Sequence, residues 1–234
     1  MVKGKRITKK QLKGPDEFIT LTERTFIFVQ QHTKKIAAAG IILLVLIVAA
    51  VLFQMWEKKQ EEEAARAFGV ALEVSGRETT QGQEGSAGDY KTVLAKFDEI
   101  ITKFPRTSSG NISLVFKGNI LLKLEEYDEA IKAFTIFLDK AGKERLYQYF
   151  AWEGLGHAYE GKKDYGKALE AYKKILDSGE GYQISEAHLN IGYCYEKLGK
   201  NKEAIESFKA FLDSNQKSSL TNPILRKISF LERQ

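Results

Sequence analysis

The side chains able to do chemistry in this chain are few, and their spacing assembles no reactive centre. The three histidines are His32, His157 and His188. A zinc ion needs three or four His, Cys or carboxylate ligands converging on one point, and these histidines fall in separate segments without such a set. Cys194 is the single cysteine, which rules out an intrachain disulfide. It lies between Tyr193 and Tyr195 in an apolar-periodic run, the setting of a part-buried structural thiol rather than a nucleophile. Gly154-Leu-Gly156 has the glycines of a phosphate loop, but such a loop follows a strand, and this one lies inside a helical pattern. Asn111-Ile-Ser113 fits a glycosylation acceptor, which has meaning only in a eukaryotic secretory compartment. Glu125, Glu126, Asp128 and Glu129 gather where a helix begins, so their expected role is at a helix N-terminus. The chain is expected to be no enzyme, to hold no metal and to need no cofactor.

What the sequence organises is packing. The run Trp152-Glu-Gly-Leu155-Gly156-His-Ala-Tyr159, followed by Ala168 and Tyr172, puts Trp152, Leu155 and Tyr159 on one face of a helix. Gly156 leaves room for a second helix, and Ala168 is the small residue that meets it. The run fits W-x2-L-G-x2-Y…A-x3-F, with Tyr172 in the Phe slot, and so resembles a tetratricopeptide repeat. Its Gly and Ala are twelve residues apart, and the same spacing joins Gly118 to Ala130 and Gly192 to Ala204. Leu114, Leu121, Phe134 and Phe137 fill the apolar slots upstream; Ile191, Tyr195, Phe208 and Phe211 fill them downstream. The Ala anchors are 38 and 36 residues apart, against a strict repeat of about 34, so the loops between units are slightly long. The turns within units are expected at Glu126-Tyr127-Asp128, Lys163-Asp164-Tyr165 and Gly199-Lys200-Asn201.

A worn first pair is expected over 57–110. Its first helix, Glu57–Ser75, carries Ala64, Ala67, Phe68, Ala71 and Leu72 on one face. Phe97, Ile100 and Pro105 mark the second. Between them, 76–88 has four glycines and almost nothing apolar, the composition of a flexible loop. Three repeats then occupy 111–220. A capping helix over 221–234 opens at Thr221-Asn222-Pro223 and is expected to cover the last repeat with Leu225, Ile228 and Leu231, as a terminal repeat requires. No window alternates as a strand. The expected fold is all-α: a tetratricopeptide-type α-solenoid of three to four helix pairs plus a C-terminal capping helix, preceded by a single transmembrane helix.

That transmembrane helix is read from Ile36 to Met55, with Trp56 at the interface. The twenty residues hold one polar side chain, Gln54, and would span about 30 Å as a helix. No small-x-small cleavage site follows, so the segment (36–56) reads as an uncleaved anchor. Residues 1–35 carry nine Lys or Arg against three acids, a net +6, while 57–234 carry 27 against 28, a net −1. The positive-inside bias therefore places the N-terminus in the cytoplasm and the repeats outside, with the membrane as a partner. The basic character belongs to the tail, so nucleic acid is not an expected partner. Within the tail, residues 1–14 have the composition of a disordered segment. Phe18, Leu21, Thr22, Phe26 and Val29 share a helical face, which fits either a surface-lying amphipathic helix or a continuation of the anchor.

The tetratricopeptide resemblance implies binding of proteins or peptide segments in a groove lined by the first helices. By repeat register the groove positions are Ile112, Val115, Asn119 and Leu122; Phe150, Glu153, His157 and Glu160; and Glu186, Leu189, Tyr193 and Glu196. Members that grip acidic chaperone tails carry a Lys, Asn and Arg clamp. This chain keeps Asn119 but has Val115, Gly154 and Glu186 at the other clamp positions, which argues against that specificity. The architecture of basic tail, anchor and small extracytoplasmic repeat domain is similar to the ancillary subunit of the bacterial Sec translocon and its relatives. That resemblance implies a bacterial inner-membrane protein with a periplasmic repeat domain, partnered by the translocon, periplasmic chaperones or secreted clients. A structural adaptor for envelope or division complexes, and a cytosol-facing receptor of reversed topology, are the alternative readings.

Overall fold

The computed structural model describes residues 17–80, 87–140, 144–178, 182–215 and 218–234, so the expectation for the basic residues 1–14 lies outside the described residues. The chain divides into two compact units, residues 1–56 and 57–234. In the first, α1 (Glu17–Thr80) is interrupted at His32, whose φ of −116° and ψ of 16° are not helical. The His32 ring stacks on Phe28 at 4.5 Å, and its Nδ1 lies 3.0 Å from the Phe28 carbonyl oxygen. The residues from Glu17 are thus helical, and one non-helical residue separates them from the apolar run. Among the described residues, this is the one helix long and apolar enough to cross a membrane, with a window mean hydropathy of 3.2 and none of it buried.

In the second unit, the end of α1 is followed by α2 (Ala87–Lys103), α3 (Ser108–Lys123), α4 (Tyr127–Lys140), α5 (Arg145–Gly161), α6 (Tyr165–Ser178), α7 (Tyr182–Lys197), α8 (Asn201–Ser214) and α9 (Thr221–Leu231). The fold is an all-α solenoid of the tetratricopeptide type. The interruption expected over 76–88 is shorter: α1 runs to Thr80 and α2 resumes at Ala87, with 81–86 outside the described residues. Once a helix exists, adding a residue costs little, so Gly76 does not stop it.

The pairs α3/α4, α5/α6 and α7/α8 share one turn. Glu125, Lys163 and Gly199 have φ values of 60°, 61° and 71°. Around them, the amide of Glu126 donates to Leu121 O (2.9 Å) and that of Glu125 to Leu122 O (3.1 Å). Asp164 and Lys163 repeat this to Tyr159 and Glu160, and Lys200 and Gly199 to Tyr195 and Glu196. These are Schellman caps, which satisfy the last carbonyls of each first helix. They place the breaks at 124–126, 162–164 and 198–200, so all three expected turns are late, the first by two residues and the others by one: Tyr127, Tyr165 and Asn201 already begin α4, α6 and α8.

Phe134, Tyr172 and Phe208, each fully buried, occupy the Phe slot of the three pairs. A Cβ on Gly118 or Gly154 would lie closer than 3.0 Å to the Phe134 ring, and one on Gly156 equally close to the Tyr172 ring. The room at Gly156 is therefore filled by an aromatic ring rather than by a helix backbone meeting Ala168. Among the described residues, the backbones of α3 and α5, and of α5 and α7, approach one another closely, whereas those of α4, α6 and α8 do not. The stack therefore curves with α3, α5 and α7 on its inner side.

At the N-terminal end, Ala64 and Ala71 of α1 pack against Val93, Phe97, Ile100 and Phe104. Glu61 of α1 caps α3. Its carboxylate accepts from the amides of Ser108 (2.7 Å) and Ser109 (3.1 Å) and from the Ser109 hydroxyl (2.8 Å). At the other end, α9 covers the last pair with Ile224, Ile228 and Leu231. Leu225, expected in this role, is 48% exposed. Positions 224, 228 and 231 keep the i, i+4, i+7 stripe, and 225 is turned about 100° away from it.

Candidate protein-binding groove

The inner face is built from three first helices, and its composition changes along the stack. On α3, Ile112 and Leu122 are half-buried and Asn119 is exposed, but Val115 is buried at 1%. On α7, Glu186, Tyr193 and Glu196 are half-buried, and Leu189 is buried at 5%. Val115 and Leu189 hold the same register. Val115 packs with Ala151 and Leu155 of α5, and Leu189 with Ile224 and Ile228 of α9. This register faces the next helix in the stack, so both side chains serve that contact rather than open surface.

The same register on α5 holds Glu153. It is half-buried, and its carboxylate accepts a hydrogen bond from Tyr149 Oη at 2.7 Å. Phe150 is 37% exposed and His157 is exposed. Glu160, also assigned to the groove by register, points back into the pair. Tyr172 Oη donates to Glu160 Oε2 at 2.6 Å, His157 Nδ1 lies 3.2 Å from the same oxygen and 2.9 Å from the hydroxyl, and the Cys194 thiol donates to Oε1 at 3.8 Å. The cluster explains itself: Tyr172 replaces Phe in its slot, and a buried hydroxyl needs a partner. Burial alone would raise the Glu160 carboxyl, but the hydrogen bonds from His157 and Tyr172, the His157 charge and the Cys194 thiol outweigh it and hold it below the ordinary carboxylate range. Burial, reinforced by the Glu160 charge, pushes the Cys194 thiol up to about 12 and raises the Tyr172 hydroxyl. A thiol held protonated in this way is a poor nucleophile.

Glu196 is engaged from the C-terminal end. Lys227 of α9 places Nζ 2.8 Å from both carboxylate oxygens and 5.3 Å from the centroid of the Tyr193 ring. Two half-buried aromatic residues lie outside the register assignment, Phe116 and Tyr147. Phe68, Phe116, Tyr147 and Phe150 follow one another across α1, α3 and α5 with ring centroids 5.1, 6.5 and 6.4 Å apart. Repeat register alone does not find them: Phe116 follows the buried Val115, and Tyr147 precedes the repeat. The signal available was the aromatic content at the start of α5, Tyr147, Tyr149 and Phe150.

A family profile described as a tetratricopeptide repeat-like domain matches residues 27–232. Among solved structures, MamA from residue 41 to its end, from Desulfovibrio magneticus RS-1, is similar at 20% identity and a TM-score of 0.53, over 70% of this chain and 82% of that one. A tetratricopeptide repeat protein from Parabacteroides merdae ATCC 43184 is similar at 21% identity and a TM-score of 0.55, over 70% of this chain and 61% of that one. The apo form of RapI is similar at 15% identity and a TM-score of 0.55, over 62% of this chain and 44% of that one. At such identities the likeness is one of fold. Among curated proteins, none matches the chain.

Proposed function

The chain belongs to the tetratricopeptide repeat-like domain family, and on that premise we propose that it is a membrane-anchored scaffold that binds proteins or peptide segments on its inner face. We place the repeats at the extracytoplasmic face of a bacterial inner membrane, where they assist secretion, folding or envelope assembly without catalysing a reaction. The observation that carries this reading is the presence, in one chain, of a repeat stack and an apolar helical run whose side chains from Ile41 to Met55 are largely exposed. An exposed apolar surface of that extent marks a membrane or protein contact in a stable fold, and the run is long enough to span a bilayer. The net +6 of residues 1–35 supports a cytoplasmic N-terminus. The partners implied by the resemblance to the ancillary translocon subunit are the translocon, periplasmic chaperones and secreted clients.

The topology is tested by a reporter fused after Gln234 in a bacterial host. Periplasmic activity is expected. Cytoplasmic activity would overturn the placement and favour the cytosol-facing receptor. The scaffold role is tested by a photocrosslinker at Phe150, which should capture envelope proteins; a stable, stoichiometric complex in place of transient clients would favour the structural adaptor.

A further inference from the structure

We infer that the segment bound on the inner face is cationic, carrying Lys or Arg next to an apolar anchor residue. This deepens the protein-binding reading above and rests on it. The first observation is a polar residue in an apolar slot. Glu153 holds the register in which Val115 and Leu189 are buried against the next helix. A carboxylate there forgoes the packing its counterparts make, and residues that break a local rule are concentrated where function requires them.

The second observation is charge. From Tyr149 to Gly161 on α5 and from Gln183 to Glu196 on α7 there is no Lys or Arg, but there are four glutamates. Glu160 is turned toward Tyr172, and Glu196 is taken by Lys227. Among the described residues, Glu153, half-buried where Val115 and Leu189 are buried, has one bond, from Tyr149, and the half-buried Glu186 has none, so both remain for a ligand.

The third observation is an internal precedent. One repeat further on, the inner face already holds a cation from a neighbouring helix: Lys227, bound by both oxygens of Glu196 and lying over Tyr193. The ring gives this ammonium a cation–π surface and the carboxylate gives it charge-assisted hydrogen bonds.

The anchor is placed by the aromatic row. Phe150, 37% exposed, ends a row of rings that runs back through the half-buried Tyr147 to Phe116, and it stands one helical turn before Glu153, about 5–6 Å away at Cβ. A segment with a Phe or Leu near a Lys or Arg reaches both.

The test uses the full chain in phosphatidylcholine nanodiscs, which carry no net charge. Fluorescent short peptides are titrated by anisotropy: a set built on one Phe or Leu with neighbouring Lys or Arg, the same set with Glu in place of the cations, and the same set with Ala in place of the anchor. The Lys or Arg set should bind, weakening with salt, and the other two should not. Glu153→Gln, which keeps an acceptor for the Tyr149 hydroxyl and removes only the charge, should leave the melting temperature nearly unchanged while weakening binding about tenfold, the equivalent of one charge-assisted hydrogen bond. Glu186→Gln should also weaken it. Equal binding of the Glu set, or unchanged affinity in both variants, would overturn the inference and leave the scaffold reading standing. Binding by none of the sets would overturn both.

Discussion

Glu125 and Lys163 adopt the same left-handed backbone conformation, with φ of 60° and 61°, at equivalent turns of successive repeats, where the third repeat has Gly199 at 71°. A side chain in this region costs about 1–2 kcal/mol relative to right-handed backbone. Glycine removes that strain, though it loses more conformational entropy on folding. Glu125→Gly and Lys163→Gly should therefore each stabilise the repeat unit by about 0.5–1 kcal/mol. Gly199→Ala should destabilise it by about 1 kcal/mol, the lower end of the cost of a side chain in the left-handed region. Urea midpoints of the three variants decide this. A destabilised Lys163→Gly would show that the Lys163 side chain contributes more than its backbone strain costs.

Glu61 gives the second prediction. Its carboxylate closes the N-terminus of α3 from another helix, through three hydrogen bonds to Ser108 and Ser109. Capping donors and the helix dipole favour a negative group at that point. Glu61→Ala should cost about 1–2 kcal/mol. Glu61→Gln, which keeps an acceptor oxygen but no charge, should cost less. Chemical denaturation of both variants checks the order, and equal losses would remove the electrostatic part of the argument.

The repeats were legible because their signal is steric. Gly118, Gly156 and Gly192 leave slots that Phe134, Tyr172 and Phe208 fill, and a slot and its ring must recur together. The inner face was less legible. Repeat register assigns Val115 and Leu189 to it, but both face the next helix, because curvature brings the first helices into contact. Repeat register also places Glu160 on the open face, yet the Tyr in the Phe slot turns it inward. Such outcomes depend on contacts between segments 12 or more residues apart, such as Tyr172 and Glu160, which no local pattern encodes. Leu225 differs from its expected role by phase alone, since 224 rather than 225 keeps the stripe of Ile228 and Leu231.

His188 supplies a pH dependence near neutrality. Burial in a cleft it shares with Lys173, Tyr195, Glu203 and Glu206 lowers its folded-state value below the ordinary imidazole 6.5. The unfolded chain then binds a proton more readily than the folded one. Stability is therefore full above 6.5 and falls as pH drops through 6.5 toward the lowered folded value. Melting temperatures should decline over that window, and His188→Gln should flatten part of the decline. A slope unchanged by the substitution would mean that other groups carry it.

Acid stability isolates the Tyr172–Glu160 contact. Glu160 titrates below its ordinary 4.5 in the folded state, because hydrogen bonds from His157 and Tyr172 outweigh the burial that would raise it. The sign is opposite in origin to that of His188 but the same in direction. The stabilisation is complete above about 4.5 and is lost as pH falls through the lowered folded value. Tyr172→Phe keeps the ring that fills the Gly156 slot and removes only the donor. At neutral pH it should cost about 1–2 kcal/mol, because a half-buried carboxylate loses a 2.6 Å hydrogen bond. Its remaining Glu160 should titrate closer to 4.5, so less stability should be lost to this group as pH falls below 4.5 than in the parent chain. Once both proteins are below the folded value, the donor no longer meets a charge and the gap between them should narrow. Asp128 and Asp164 also titrate low, through Lys162 and the Lys167 amide respectively, but both chains share them and they cancel in the difference. Urea unfolding of the two proteins between neutral pH and pH 3 reads this directly, and a gap that stays constant across the range would disprove the coupling.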